Sequence, residues 1–342
     1  MEEKKILLGM SGGIDSTYAV TELRKQGYEV VGAFLKMTPE SETESAVRAA
    51  AVLGVPLTVV DCTERFRDIV IENFLSEYAA ARTPNPCIVC NRFVKIAVLC
   101  ETAKAMGISK VATGHYARIA VDESTGRYCV RKAVDPRKDQ SYMLWRLTQE
   151  QLSMLEFPLG SLLKSEIKEK AREMDLPNAD APESQEICFT DDYISYIEER
   201  RGKFPKGNFT DEDGKPLGKH EGIIRYTVGQ RKGLGISLGR PAFVVAIDPV
   251  LHTVMLTSDE SKIFSDALVC KDLNFMALEP GDYDAVSGEG KVRYAAKPEE
   301  AQACVQNGEA RVIFARRVRA VTPGQSVVFY RGDRILFGGM IE

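Results

Sequence analysis

Apolar and polar positions follow two different patterns along the chain, and the change falls near residue 205. In the first half, short apolar runs that read as strands alternate with stretches of helical length. The strand-like runs are KKILLG, YEVVGAFLK, VPLTVVD and ISKVATGHY. The helical stretches lie near Ser16 to Gln26, Glu42 to Leu53 and Phe93 to Met106. This alternation predicts an α/β fold with a parallel sheet covered on both faces and a ligand site at the carboxyl ends of its strands.

The second half of the chain changes from helical to strand patterns. Helical character continues through SYMLWRLTQEQLSML and LKSEIKEKAREMDL and fades near Asp191 to Arg201. From Asn208 onward there are short runs rich in Val, Ile, Phe and Tyr, separated by turn signals such as KGLG, LEPGDYD and TPGQ. With a seam near Ser258 to Ser265, we expect an α/β domain over 1–205, a central β domain over 206–262 and a C-terminal β-barrel over 263–342.

Composition narrows the class of protein. The 342 residues are 44% hydrophobic and 27% charged, which is ordinary for a globular chain. No apolar run approaches the roughly 18 residues of a membrane-spanning helix, and MEEKKILLGM lacks a signal-peptide core. We therefore expect a cytoplasmic protein. The 8 cysteines are spread over the whole chain, so in a reducing compartment any special cysteine is reactive or metal-bound.

The charge is unevenly distributed. The net charge of −4 argues against binding nucleic acid through the overall field alone. From residue 291 to the end, however, 9 Lys and Arg face 5 acidic residues, which gives +4 and leaves −8 for the rest. This basic block indicates either a surface that meets a polyanion or the solvated faces of strands.

The first chemical motif is SGGIDS, residues 11–16, between a strand and a helix. Adjacent glycines and hydroxyls at a helix start offer backbone N–H groups to a phosphate. The Lys-Ser/Thr of the Walker loop and the GxGxxG of dinucleotide folds are both missing. A glycine-rich turn with a serine cap is the alternative. The motif resembles the PP-loop of ATP pyrophosphatases, which cleave ATP between the α and β phosphates, and this predicts ATP binding.

The second motif is TPNPCIVCN, residues 83–91. Its two prolines favour an extended loop, and a cysteine held there at the start of a helix is expected to have a lowered pKa. A zinc half-site is the competing interpretation. Because there is no second C-x-x-C and there are only 3 histidines, a closed zinc site is not expected.

A distant cysteine, Cys188 in SQEICF, reads by itself as a small buried hydrophobe. Taken with the other motifs it has a different meaning. The chain resembles the tRNA-specific 2-thiouridylase family over its whole length, through GMSGGIDS, TPNPCIVCN, ATGHYAR, DPRKDQSY, YTVGQRKGLGI and AVTPGQSVVFY, in the family's order. That family replaces the wobble uridine oxygen of certain tRNAs with sulfur.

The resemblance implies roles for particular residues. Cys90 is implied as the nucleophile, and Cys188 as the carrier of a persulfide. The implied ATP-binding residues are Gly9, Met10, Ser11, Gly12, Gly13, Ile14, Asp15, Ser16, Leu35 and Gly114. Those implied to meet the target base are Asn85, Pro86 and Cys87. Those implied to contact tRNA are His115, Lys138, Asp139, Gln140, Arg293, Tyr294 and Gln325, although each also has an ordinary structural interpretation, such as a solvated turn for 138–140.

The implied chemistry is coherent. Uridine O2 is a poor leaving group, so ATP adenylates it, with Mg²⁺ on the phosphates and Asp15 as a candidate to orient the ion. The base must leave its stack, which an anticodon loop permits cheaply. The Cys188 persulfide then supplies sulfur, and Cys90 either releases sulfide from it or resolves it. The reaction ends in a Cys90–Cys188 disulfide.

One departure leaves two mechanisms open. The family often has Asp where this chain has Cys87, and a thiol differs from a carboxyl in proton transfer. Cys87, Cys90 and Cys188 also offer three thiolates for a 4Fe-4S cluster, so a persulfide relay and a cluster mechanism both remain.

The expected partners are tRNA for Lys, Glu and Gln and a cysteine desulfurase or sulfur-relay protein, with a monomer favoured. Two other classes are a PP-loop ligase and a nonenzymatic nucleotide-sensing RNA-binding module.

Overall fold

The computed structural model describes residues 4–178 and 187–342. The strands within these ranges are β1 Lys4–Gly9, β2 Tyr28–Lys36, β3 Leu57–Asp61, β4 Val111–Thr113, β5 Ala117–Val121, β6 Tyr128–Lys132, β7 Leu155–Glu156, β8 Gly207–Thr210, β9 Pro216–His220, β10 Phe243–Asp248, β11 Thr253–Thr257, β12 Phe264–Phe275, β13 Tyr283–Lys291, β14 Glu299–Gln306, β15 Glu309–Arg319, β16 Ser326–Arg331 and β17 Arg334–Ile341. The α-helices are α1 Ile14–Lys25, α2 Glu44–Leu53, α3 Thr63–Phe66, α4 Glu72–Ala79, α5 Pro86–Cys90, α6 Ile96–Ala105, α7 Gln149–Met154, α8 Lys164–Glu173 and α9 Tyr193–Arg201.

The N-terminal part is the parallel α/β sheet that the sequence predicts. Its 5 strands lie in the order β3-β2-β1-β4-β7, and all neighbouring pairs are parallel. The central strand β1 buries Ile6, Leu7 and Leu8 completely because helices cover both faces. The strand order reverses direction beside β1, and a ligand crevice forms at such a point.

Two helical runs on this sheet contain a single π-helical turn. One lies at Arg67–Ile71 between α3 and α4, and the other at Asn91–Lys95 between α5 and α6. Such turns often occur at functional sites because they re-aim the side chains around them. The second begins directly after Cys90.

The C-terminal part is a closed 6-stranded barrel in the order β12-β15-β14-β13-β16-β17, closed by pairing of β12 with β17. The hairpin β5–β6 of the α/β domain extends the same sheet, because β6 pairs with β17. Trp145 packs on β17 so closely that a Cβ on Gly338 would lie 2.5 Å from its ring. One apolar core therefore spans the α/β domain and the barrel.

Between them lies the central β segment, a 4-stranded sheet in the order β10-β11-β8-β9. Its buried Phe209 joins a second core with Ile197 of α9 and Phe74 of α4. The central sheet therefore packs on the helices that follow β3.

The fold class is confirmed, and some local expectations are wrong. Helical character does not fade at 191–201, since α9 occupies most of it, with the Asp192 side chain accepting hydrogen bonds at its start. SYMLWRLTQEQLSML is interrupted: a 3₁₀ turn covers Ser141–Leu144, and Thr148 begins α7 anew through a reciprocal cap with Gln151. No helix of the described ranges is both long and apolar enough to cross a membrane.

Candidate active site

The loop between β1 and α1 has the geometry of an anion cradle. Gly12 has φ +81°, and a Cβ there would lie 2.5 Å from the backbone nitrogen of Ala46. The Ser16 hydroxyl accepts from Ser11 N at 3.2 Å and donates to Gly13 O at 3.1 Å. The first N–H groups of α1 have no intrahelical acceptors and point out of the helix start, an arrangement suited to binding a phosphate.

The remaining residues of the predicted nucleotide site surround this loop. Gly9 and Met10 precede it at the end of β1, and half-buried Leu35 lies near the end of the neighbouring strand β2. Gly114 follows β4, and a Cβ there would lie 3.1 Å from Ser16 N. The structure therefore brings these residues to one edge of the sheet.

Asp15 is held by a buried cation that sequence reasoning missed. Lys164 Nζ lies 2.5 Å from Asp15 Oδ1, and the Tyr116 hydroxyl donates to the same oxygen at 2.6 Å. Asn178 Nδ2 donates to Gly12 O at 2.8 Å from the other side of the loop. Lys164 is the first residue of helix α8 and lies 149 residues after Asp15 in the chain. No sequence motif indicates that the two side chains pair.

The three predicted cysteines lie close enough together for their charges to interact. Cys87 is exposed in the first turn of α5, Cys90 is buried at its end, and Cys188 is exposed after the undescribed segment. Burial raises the pKa of Cys90 to about 11, and the nearby Cys188 and Cys87 act in the same direction. Cys90 therefore lacks the lowered pKa expected for a cysteine at the start of a helix, because it lies buried at the end of α5 and loses solvation. The motif residues Ser184 to Glu186 lie outside the described residues.

One cation opposes that effect. The charge of Lys95, in the π-helical turn, lowers the pKa of Cys90 and of Cys188. For Cys188 desolvation is the larger effect, and its pKa is raised overall. Sequence reasoning did not select Lys95, because residues five apart do not share a face of an α-helix and the π-helical turn at Asn91–Lys95 is not evident from the sequence.

His115 lies near enough to Lys95 for the lysine charge to affect its imidazole. Burial lowers the pKa of its imidazole to about 3, and the Lys95 charge adds to this. Its Nδ1 lies 2.7 Å from Thr113 Oγ1, and its ring meets Phe157 edge-on. His115 is therefore a neutral hydrogen-bonding group rather than a cation.

The predicted target-base residues, Asn85 to Cys87, lie at the start of α5, the helix that ends at Cys90. Asn85 is the extended residue before α5, and buried Pro86 occupies its first turn. Asn85 Nδ2 lies 3.4 Å from the sulfur of Met143, and Asn91 Nδ2 donates to Met143 O at 3.2 Å. Met143 thus fixes both ends of α5.

Lys138, Asp139 and Gln140 are not a solvated turn. The Asp139 carboxylate accepts hydrogen bonds from Ala133 N and from the Ser141 hydroxyl, and Gln140 Oε1 accepts from Tyr116 N at 3.0 Å. Lys138 is half-buried. The segment is therefore fixed near the loop through Tyr116.

Arg293 and Tyr294 follow β13, and Tyr294 lies near Cys87. The Tyr294 side chain is 39% exposed, and Asp139, Lys138 and Cys87 lie near enough to influence the pKa of its hydroxyl, which desolvation raises. Lys291 Nζ lies 5.4 Å from the centre of the Tyr294 ring and 5.7 Å from that of Tyr142. Arg293 donates to Arg319 O at 3.1 Å.

The last predicted tRNA residue makes a contact inside the protein. Gln325 Nε2 donates to Thr83 O at 2.8 Å, at the start of the target-base segment. The barrel therefore reaches the loop that carries Cys87.

A cavity of about 920 Å³ borders Cys188. Its walls are residues 37–41 after β2, the helical run near 63–75, and α9 with the residues just before it. This cavity gives access to Cys188, and neither Cys90 nor Cys87 is among its lining residues.

The fold and this loop define a PP-loop domain joined to two β domains. Family models match all three parts: "tRNA methyl transferase HUP domain" over residues 4–192, "tRNA methyl transferase PRC-barrel domain" over 194–258 and "Aminomethyltransferase beta-barrel domain" over 265–341. These matches agree with the α/β sheet, the central sheet and the closed barrel.

Full-length relatives identify the family. The chain is 45% identical over 363 residues to the tRNA-specific 2-thiouridylase MnmA of Acetivibrio thermocellus, covering 100% of both chains. It is 42% identical to the protein of the same name from Clostridioides difficile, covering 99% of this chain and 98% of the relative. A solved NMN synthetase from Francisella tularensis matches 54% of this chain and 67% of its own at 16% identity, with a TM-score of only 0.35. The chain belongs to the tRNA-specific 2-thiouridylase family.

Proposed function

We propose that this protein is an ATP-dependent tRNA 2-thiouridylase that converts the wobble uridine of tRNA to 2-thiouridine, releasing AMP and diphosphate. The observation that carries the proposal is the proximity of three thiols, Cys87, Cys90 and Cys188, on the domain that holds the phosphate loop. A PP-loop ligase has no need of them. The names of the full-length relatives support the same activity.

In the first step, the loop of residues 11–16 holds ATP with its N–H groups toward the phosphates. Uridine O2 attacks the α-phosphorus, the bond to the β-phosphate oxygen breaks, and diphosphate leaves. The pair Lys164–Asp15 supports this step because it fixes the first turn of α1 beneath the phosphates. Asn85, Pro86 and Cys87 are proposed to enclose the extruded base.

In the second step, sulfur reaches C2. The terminal sulfur of a Cys188 persulfide attacks C2, and AMP leaves with the oxygen. Cys90 then attacks the Cys188 sulfur of the resulting mixed disulfide, which releases 2-thiouridine and leaves a Cys90–Cys188 disulfide. The electrons balance, because the persulfide sulfur is reduced while the two thiols become a disulfide. A thiol reductant must restore them.

The proton balance explains why Lys95 matters. Cys90 is protonated at neutral pH, so it must lose its proton to attack. Lys95 is the nearby cation that favours its thiolate. Cys87 is exposed beside Tyr294 and is proposed to take up or release protons where the family often has Asp.

The residues fit a resident metal poorly. Within 4–178 and 187–342, no group of three or more His, Cys, Asp or Glu side chains is arranged to hold an ion. Asp15 Oδ1 is already engaged by Lys164 and Tyr116. Mg²⁺ is therefore proposed to arrive with the phosphates of ATP, and sulfur transfer is assigned to Cys188 and Cys90 rather than to a 4Fe-4S cluster.

tRNA is proposed to lie across the barrel and the thiol site. The outward side chains of β15 include exposed Arg311, Arg316 and Arg317, which suit phosphates. His115, Lys138 to Gln140, Arg293 and Tyr294 are proposed as closer contacts, whereas the Gln325 side chain is engaged by its hydrogen bond to Thr83 O. The division into a catalytic part over 1–205, a central part over 206–262 and a tRNA-contacting barrel over 263–342 belongs to the same proposal.

The partner that supplies sulfur is proposed to be a cysteine desulfurase or a relay protein. The cavity beside Cys188 supports this, since it offers an approach from a side that Cys90 does not line. We propose a cytoplasmic monomer.

The test uses the full chain, unmodified tRNA, ATP and a persulfide donor, with the tRNA nucleosides measured by mass spectrometry. Wild type forms 2-thiouridine with AMP, whereas Cys90→Ser and Cys188→Ser form AMP but no 2-thiouridine. Cys304→Ser, in the barrel strand β14, is the matched control and keeps activity. ATP turnover without any change in tRNA mass would overturn the proposal.

A further inference from the structure

We propose that the turn of residues 322–325, between barrel strands β15 and β16, is a positioning element for the thiol site, acting through Thr83. Gln325 is its principal positioning residue. This inference rests on the proposed function, and it assigns the barrel a part in the reaction besides contact with tRNA.

The turn of residues 322–325 makes its hydrogen bonds with the target-base segment through one residue, Thr83. Thr83 N donates to Pro323 O at 2.9 Å, and Thr83 O accepts from Gln325 Nε2 at 2.8 Å. Both backbone polar groups of Thr83 are therefore bound by one turn of the barrel. The Thr83 hydroxyl also lies 3.3 Å from the Thr227 hydroxyl of the central β segment. All three parts of the fold meet at Thr83.

The turn of residues 322–325 packs tightly against the segment that contains Thr83. Gly324 has φ +87°, and a Cβ there would lie 2.9 Å from Thr83 N and 3.0 Å from Arg82 Cβ. Arg82 is fixed in turn by Glu77 at 2.9 Å and lies 3.4 Å from Ile341 O at the end of the barrel. The approach of the two segments therefore has little freedom to vary.

The position of Thr83 determines the positions of the thiol-site residues that follow it in the chain. Pro84 and Pro86 restrict the backbone between Thr83 and the start of α5, so a shift at Thr83 moves Asn85 and Cys87 rather than being absorbed. Cys90 lies at the end of the same short helix. A displacement of about 1 Å at reacting groups is enough to slow catalysis substantially.

This interpretation differs from a direct tRNA contact by Gln325 in what a substitution changes. A positioning residue alters the thiol site even when tRNA is absent. A residue that only contacts tRNA alters tRNA affinity and leaves the free protein unchanged.

The experiment compares Gln325→Met, which keeps the length of the side chain and removes its donor, with Gln306→Met, an exposed glutamine at the end of β14. The first readout is the rate of iodoacetamide alkylation of Cys87 in the tRNA-free full chain, followed by peptide mass spectrometry. The second is kcat and KM for tRNA in the thiolation assay. Thr227→Val, which removes only the hydroxyl contact with Thr83, is a second variant with less risk to folding.

We expect Gln325→Met to change Cys87 alkylation by about threefold or more and to lower kcat by about tenfold, with KM for tRNA within about twofold of wild type. Thr227→Val shifts both in the same direction by less, and Gln306→Met shifts neither. A raised KM with unchanged alkylation in both variants would overturn the inference and make Gln325 a tRNA contact. The alkylation readout does not require tRNA thiolation, so failure of the proposed function is recognised separately by an inactive wild type.

Discussion

Lys164 and Asp15 form an ion pair of 2.5 Å directly behind the phosphate loop, although they lie 149 residues apart in the chain. The lysine side chain is 6% exposed and the carboxylate 31% exposed. The start of α1, which the motif SGGIDS specifies, is therefore fixed by a helix of the same domain that carries no motif.

Replacing Lys164 with Met is expected to weaken both stability and ATP binding. A half-buried carboxylate would lose its cation, at a cost of about 2 to 4 kcal/mol in the free energy of unfolding, less than for a fully buried pair. Urea denaturation and calorimetric titration with ATP measure the two effects. Lys170→Met, on the exposed face of α8, is the control and leaves both unchanged. Full ATP affinity in Lys164→Met would show that the pair does not support the loop.

A methyl group at Gly12 is expected to abolish ATP binding. Both a left-handed backbone and contact with Ala46 N at 2.5 Å oppose it. Gly27→Ala is the matched control, because Gly27 has φ +83° with no atom within 4 Å of the new Cβ. The control carries only the backbone strain of about 1 kcal/mol and binds ATP normally. If both variants lost ATP binding equally, the cause would be backbone strain rather than the contact with Ala46 in the phosphate loop.

The buried thiol of Cys90 predicts a specific pH dependence. With its pKa raised to about 11, its alkylation in the free protein is slow at neutral pH and rises about tenfold per pH unit from about pH 7 to 10. Lys95→Met removes the cation that lowers this pKa, so alkylation becomes slower at each pH. Peptide mass spectrometry after timed alkylation measures both rates. A rate that is already at its plateau near pH 7 would mean that Cys90 is a thiolate.

His115 is expected to remain neutral throughout the physiological range, since burial lowers its pKa to about 3. The folded state then binds fewer protons than the unfolded state below about pH 6.5, so stability is lost as pH falls. Between about pH 6 and 5, wild type loses roughly 1 kcal/mol more unfolding free energy than His115→Asn. Denaturation at the two pH values tests this. An equal loss in the two proteins would show that His115 is protonated when folded.

The fold class was predicted correctly because it depends on local patterns. Strands β1 to β3 are short apolar runs, and the phosphate loop is a contiguous glycine motif. The joining of the hairpin β5–β6 to the barrel sheet was not predicted, because its partner β17 lies about 200 residues away and sheet extension leaves no local pattern.

The parts of the site that were missed are those made by tertiary contacts. Lys164 and Met143 contribute through partners distant in the chain, so no motif could reveal them. Thr83 belongs to the motif TPNPCIVCN, but its contact with Gln325 leaves no local pattern. The raised pKa of Cys90 was not predicted, for a related reason. Position on a helix is readable from sequence, whereas burial depends on the elements packed around the residue.

The central claim is that sulfur passes through Cys188 and that Cys90 completes the transfer. The most direct measurement is one turnover of persulfide-loaded, iron-free protein with ATP and tRNA under anaerobic conditions, followed by peptide and nucleoside mass spectrometry. We expect a persulfide on Cys188 before the reaction and a Cys90–Cys188 disulfide afterwards, formed in proportion to 2-thiouridine. Thiolation that requires added iron and sulfide, or that proceeds without this disulfide, would contradict it.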